Sequence, residues 1–435
     1  MPPLAQAVLA SWSFPPWVTA LNLLSALLYI RGWSALHHSL VERFRPWRLV
    51  CFLTAIATVQ VALASPLDAF DPFFLTDHML QHMLLMMIVP PLMLLGDPVI
   101  PLLHGLPRWA SRFIFGPIFR WRLTRAIGSA ITYPPFALLL MSIVMIGWHL
   151  TRPYELALRS PRWHEVEHAS FLISSLIFWW PVVQPWPTKP RWNRWTLPIY
   201  LLLADFVNSG LSAFLAFSGR VFYPSYTLMP RLGGISAQND QVAAGAMMWV
   251  IGSFAYLIPA VLITAKLLSP ARPGPQRRTA QPQPESRTRS RILLGLAALL
   301  PIAAVAFAFL VPDKIDIDKD IVRAQADSGP FHITVFTPPD PVPSDDFEIT
   351  VLTQDRDTGA IVLDDAVSVH LTSQQGAGKS VTAEASRGEA QNKILAATSV
   401  DLPSPGPWNL QLSVSRGKDS GAVSAPLDVQ RGQEK

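Results

Sequence analysis

The stretch HMLQHMLLMMIVPPLMLLGDP, His78–Pro98, decides how the rest of the chain is read. From Asp77 to Leu95 it is apolar for about the 20 residues a helix needs to cross a bilayer. Yet it opens on two histidines four apart, His78 and His82, which on a helix lie one above the other on a single face. Methionines interleave with them as Met79, Met83, Met86 and Met87. Imidazole and thioether without a thiolate is a donor set that suits copper, Cu(I) above all. Pro90-Pro91 removes two helix donors and predicts a kink in the far half of the span.

The same composition extends along the chain. Of 435 residues, 50% are hydrophobic and 15% charged, the balance of a polytopic membrane protein. The single cysteine, Cys51, rules out a disulfide framework and a cysteine-built metal site. The net charge of +5 comes without a basic cluster interleaved with aromatics, so no nucleic-acid partner is expected. No Lys or Arg precedes the first apolar run, which is therefore read as a retained span and not a signal peptide.

Eight candidate spans result: Trp17–Ile30, Trp47–Leu67, Asp77–Leu95, Ile131–Leu150, Val166–Val183, Leu197–Phe217, Val242–Leu268 and Ile292–Val311. Pro259 should kink the seventh as Pro90-Pro91 should the third. Residues 1–268 form a predicted seven-helix membrane domain, 269–291 a Pro/Gln/Ser/Arg-rich cytoplasmic linker, and 292–311 an eighth helix. Lys and Arg crowd the loops after the first, third, fifth and seventh spans: Arg31, Arg43, Arg45 and Arg48, then Arg108 to Arg125, then Lys189 to Arg194, then Lys266 to Arg291. By the positive-inside rule those loops are cytoplasmic and both termini lie outside. Around the second group, Pro98–Arg125 mixes Trp109, Phe113 and Ile114 with arginines, as an interfacial helix does.

From 328 to 430 the pattern changes to short alternating runs, among them FHITVFT, DFEITVLT, AVSVHLTS and WNLQLSVS, separated by Gly, Pro, Asp and Ser. About 100 residues of this kind predict an immunoglobulin-like β-sandwich on the outer side. His332 and His370 fall on the polar face of their strands by alternation, and the domain has no Met or Cys, so it offers a poor copper site by itself.

Under this topology His149 closes the fourth span and a second pair, His164/His168, opens the fifth, all on the side where His78 and His82 begin. Four residues of helix are about 6 Å, so five imidazoles fall in one shallow, partly hydrated layer near the outer interface. Asp77, Glu165, Glu167 and Asp240 stand at the same level as orienting carboxylates. The predicted metal residues are His78, His82, His149, His164 and His168, with Met79 and Met83 as accessory donors. Met86, Met87 and Met93 read as packing. Asp205, mid-span with Asn208 one turn on, is either functional or a buried Asp–Asn hydrogen bond. No nucleophile–base pair, phosphate loop or HExxH is present, since WHEVEH has a different spacing, and no enzymatic activity is expected.

The runs HMLQHMLLMMIVPPLMLLGDP, WHLTRPYELALRSPRWHEVEHASFLISSLIFWWPVV (Trp148–Val183) and DQVAAGAMMWVIG (Asp240–Gly252) resemble the multi-spanning CtaG family of cytochrome c oxidase assembly factors. The resemblance covers roughly 17–268. It implies a seven-helix core in a bacterial inner membrane, a role in maturing a haem–copper oxidase at the copper step, and importance for the five histidines. The partners implied are oxidase subunits and a periplasmic copper donor. The eighth span and the β domain extend beyond that pattern, and GPWNLQLSV near the end resembles YtkA-like or FixH-like modules. Two other readings compete. A CopD-like copper transporter should carry ligands through the bilayer, and below Met87 few are present. A membrane haem protein should place its axial histidines deeper and opposite each other.

Overall fold

A computed structural model describes residues 3–186, 192–269, 321–374 and 379–431. Among them, five helices are long and apolar enough to cross a membrane: Pro46–Phe70, Leu75–Leu95, Pro161–Val183, Thr196–Phe217 and Ala237–Leu268. A sixth crossing results if Arg122–Ile131 and Pro134–His149 count together. These two are bent by 68°, because Pro134-Pro135 cannot continue the preceding helix. The predicted continuous span Ile131–Leu150 is thus a 16-residue helix with a separate entry segment. Pro16–His37 is long enough at 22 residues, but its Thr19, Asn22, Ser25 and Arg31 make it less apolar than the others. Some of that polarity is used in packing: Asn22 donates to Gln60, and Gln60 donates to Thr19, zipping this helix to Pro46–Ala64. The predicted linker and eighth span lie outside the described residues, Ser269 apart.

The proline pair does not sharply break its helix. Pro90 lacks the N–H that would bond the Met86 carbonyl, and Pro91 the one for Met87. The chain widens into a π-helical turn over Leu84–Ile88 before resuming as Val89–Leu95. The orphaned Met86 carbonyl accepts from the indole N–H of buried Trp179 at 3.0 Å. Trp179→Phe should therefore leave a buried carbonyl unsatisfied at a cost of about 1–3 kcal/mol. A lowered thermal midpoint in detergent would show this, and an unchanged one would mean the carbonyl has another partner. Around Pro259, by contrast, the helix Ala237–Leu268 runs on without a break. Asp205 accepts from Ser253 at 2.9 Å and Asn208 donates to the Met248 carbonyl at 3.3 Å, so the Asp–Asn pair, one of the two readings of these residues, gives way to two bonds across neighbouring helices.

The end of the bundle carrying Asp97 is held by charge. Asp97 sits at φ 50, a left-handed conformation that Asp tolerates. It pairs with Arg43 at 2.8 Å and Arg48 at 2.7 Å, and accepts from the Trp186 N–H.

The C-terminal strands are β1 (Ile321–Ser328), β2 (Phe331–Thr337), β3 (Val342–Pro343), β4 (Phe347–Asp355), β5 (Ala366–Ser373), β6 (Ser380–Ala385), β7 (Ala396–Val400), β8 (Gly406–Arg416) and β9 (Asp419–Gln430). They form a pair of sheets, β1-β2-β4-β7 and β3-β9-β8-β5-β6, antiparallel except where β3 meets β9. The core between them draws Ile333, Val335, Ile349 and Val351 from one sheet, and Val369, Leu371, Leu410 and Leu412 from the other. The first strand, Ile321–Ser328, precedes the expected boundary at 328 and pairs along its length with Phe331–Thr337. Its sequence, IVRAQADS, alternates too weakly to stand out. His332 bonds Asp327 and His370 bonds Thr382, both away from the core as expected.

This β region seats on the histidine end of the bundle. Phe336, Leu352, Ile394 and Leu395 pack against Ala69, Phe70 and Phe73. Asn392 donates to the Ala69 carbonyl at 2.9 Å, and the Lys393 N–H donates to Ser11 Oγ at 2.9 Å. The N-terminal helix Pro3–Ala10 is therefore at the same end.

Candidate metal centre

Three helix ends deliver five imidazoles to one place. Ser160 ends the preceding helix and Pro161, with its fixed φ, opens the next, so the helix starts earlier than Val166 and carries His164 and His168 in its first turns. The His78 helix starts at Leu75, where its free N–H groups are met by Asp240 from the last described membrane helix. Asp240 accepts from the Leu75 N–H at 2.7 Å, the Thr76 N–H at 3.1 Å and the Thr76 hydroxyl at 2.6 Å. Ring centroids of His78 and His82 are 4.3 Å apart, His164 and His168 4.2 Å, His78 and His164 5.1 Å, and His82 and His168 5.4 Å. His149 lies 6.2 Å from His82, with Phe171 against both.

Two carboxylates complete the cluster. His78 Nδ1 and His164 Nε2 each lie 3.4 Å from the Asp71 carboxylate. His78 Nε2 is 3.6 Å and His82 Nε2 3.7 Å from Glu167. Ordinary N–H···O bonds are about 2.9 Å long. Donors sharing a tetrahedral ion at bonds of about 2.1 Å are instead about 3.4 Å apart. Two ligand-spaced groups follow, Asp71/His78/His164 and His78/His82/Glu167, with His78 common to both.

The tautomers agree with this. His149 Nδ1 donates to the Met145 carbonyl at 2.7 Å, which leaves Nε2 as a bare lone pair, buried and without a hydrogen bond. Both ring nitrogens of His82 are likewise buried without one. Asp71 and Glu167, both buried, need compensating positive charge. The donor set thus fits a transition-metal cation of borderline hardness.

The expected shallow, hydrated layer is corrected: His78, His82 and Glu167 have 0% exposure. Length along a helix predicts depth but not what lies above. Here Tyr154, Tyr223 and Tyr226 close over the rings, with Tyr154 stacked 3.9 Å from Tyr223 and 5.0 Å from the His78 ring. Tyr223 donates to the His149 carbonyl and Tyr226 to that of Asp71, at 3.0 and 3.1 Å. Burial holds all three phenols well above their ordinary value, so they stay protonated donors. Of the carboxylates expected at this level, Glu167 joins the cluster, Asp240 caps a helix, Asp77 is half-buried outside the ligand-spaced groups, and Glu165 is exposed. Met79 and Met83 are buried in the apolar cluster with Met86, Met145, Phe171 and Met248.

Asp71 and the tyrosines are the residues that sequence reasoning missed. Asp71 lies seven residues before His78 in DAFDPFF, in the turn ahead of the His78 helix and in a loop without Lys or Arg. A carboxylate beside a proline at the mouth of a histidine-bearing helix is the signal that was available.

A family model described as cytochrome c oxidase caa3 assembly factor matches residues 27–269. Uncharacterized proteins of Mycobacterium bovis and Mycobacterium tuberculosis are each 27% identical over 278 residues, 62% of this chain and 40% of theirs. One of Mycobacterium leprae is 25% identical over 264 residues, 59% of this chain and 39% of its own. The chain thus aligns with about two-fifths of these curated relatives' length. No solved structure matches.

Proposed function

Because the chain belongs to the family of cytochrome c oxidase caa3 assembly factors, we propose that it holds copper as cargo in the histidine–carboxylate cluster and hands it to a nascent oxidase subunit. The observation that carries this is the convergence of His78, His82, His149, His164, His168, Asp71 and Glu167 in one buried cluster at a helix-bundle end. Imidazole and carboxylate together suit Cu(II), which binds such sites more tightly than the other divalent first-row ions. Met79 and Met83 enter as part of the apolar wall, where a thioether can assist the reduced ion. The role is one of assembly and not of turnover.

Orientation belongs to the same proposal. The Arg43/Arg48/Asp97 end is cytoplasmic, and the cluster, the N-terminal helix and the β region face the periplasm of a bacterial inner membrane, where a copper donor docks. The spans number seven with Pro16–His37 included, an eighth lies at 292–311, and the two β sheets form an immunoglobulin-like sandwich. A cytoplasm-dependent reporter fused after Gln430 should stay silent, and strong activity would invert the assignment.

The test of cargo is metal content. Full-length protein purified in detergent and loaded with copper should retain it through a chelator wash, measured by mass spectrometry. A variant carrying His78→Ala and His82→Ala should retain at most about a tenth as much, given that even orienting partners of ligands cost 10–100-fold. Equal retention by both would sink the reading.

A further inference from the structure

Resting on that reading of the cluster as a copper site, we propose that it holds two cations at once, one on either side of the His78 ring. The two ligand-spaced groups use opposite nitrogens of one imidazole: Nδ1 faces Asp71, beside His164, and Nε2 faces Glu167, beside His82. A single ion cannot bond both nitrogens of one ring, because their lone pairs diverge. With bonds of about 2 Å on each side of the ring, the two ions sit about 6 Å apart.

The remaining imidazoles divide accordingly. His168 lies 4.2 Å from His164 by ring centroids, and His149 lies 6.2 Å from His82 with its Nε2 bare. Each position then has four donors: Asp71, His78, His164 and His168 for one, and Glu167, His78, His82 and His149 for the other. Filling both removes the one N–H proton of the His78 ring to water, so the bridge carries one negative charge. With Asp71 and Glu167 that makes three negative charges against four positive ones, a tolerable balance for a buried site.

The positions differ in access. A cleft of about 1290 Å³ runs between the bundle and the β region, and of the cluster residues its lining includes Asp71, His164 and His168. His78, His82 and Glu167 lie behind, with no exposure. The Asp71 position is therefore the loading and unloading position, and the Glu167 position is filled from it.

The probe is Cu(II) alone, added to the full chain in detergent and followed by a chelator wash. Wild type should retain two coppers per chain, with an electron paramagnetic resonance signal well below two spins, because ions bridged by an imidazolate couple antiferromagnetically. Asp71→Asn and Glu167→Gln, close to isosteric and checked for an unchanged helical circular dichroism spectrum, should each retain one copper with its full spin. Loss of the second ion in Asp71→Asn should also make loading of the remaining one slower than in Glu167→Gln. One copper per wild-type chain would overturn the bridge and leave the cargo reading standing. No retained copper would overturn both. Two coppers at full spin, indifferent to either substitution, would place the second ion outside the cluster and also overturn the bridge.

Discussion

Cells whose only copy carries both His78→Ala and His82→Ala are expected to assemble on the order of tenfold less active oxidase under copper limitation, while the variant still accumulates in the membrane. The two rings are fully buried, and between them they face both carboxylates of the cluster. Their removal takes three of the eight proposed donor atoms, leaving each position short. The rings meet His164, His168 and Phe171 of the Pro161–Val183 helix, yet accumulation should survive, because other contacts also hold the bundle. The fold is carried elsewhere, by the Gln60 zipper, the Asp97 ion pairs and the Trp179–Met86 bond. Added copper should restore part of the activity by mass action. Normal oxidase in the double variant under copper limitation would return these histidines to a purely structural role.

Asp240→Ala should be as damaging without touching the metal. Its carboxylate accepts two backbone N–H groups and a hydroxyl at the start of the His78 helix, and is 2% exposed. Hydrogen bonds to a charged group contribute about 1.5–3 kcal/mol each, and a negative charge at a helix N-terminus up to about 2 kcal/mol. Losses of several kcal/mol follow, with the Leu75 and Thr76 N–H groups left without this acceptor just before His78. The variant should show a markedly lower thermal midpoint and lose copper retention. Asp240→Asn keeps one acceptor oxygen and should recover part of both. Full copper retention by Asp240→Ala would mean that the helix start is positioned by something other than this cap.

Much of this was legible in the chain itself, for local physical reasons. Apolar length marks a span wherever the helix is continuous, so Leu197–Phe217 and Val242–Leu268 lie close to the observed helices. Period-four histidines must share a helix face, and period-two alternation located the strands from Phe331 onward and the outward rings of His332 and His370. What local pattern cannot carry is who comes to meet a residue from elsewhere in the chain. Proline spacing told that Met86 and Met87 lose a bond, but not that Trp179, 93 residues on, would take up one of them. Asp240 looked like a ligand-level carboxylate until its partner proved to be a helix start 165 residues away.

The site divides along the same line. The histidine composition of the cluster and its place at one end of the bundle follow from sequence, because helix period and span boundaries are local. Its depth, the entry of Asp71 and the choice of Glu167 among the carboxylates at its level were decided by tertiary packing. Tyr154, Tyr223 and Tyr226 roof the rings, the β region covers the flank, and Asp71 turns in from a loop. Burial and donor spacing are properties of surfaces brought together from distant segments, which only the folded chain can set.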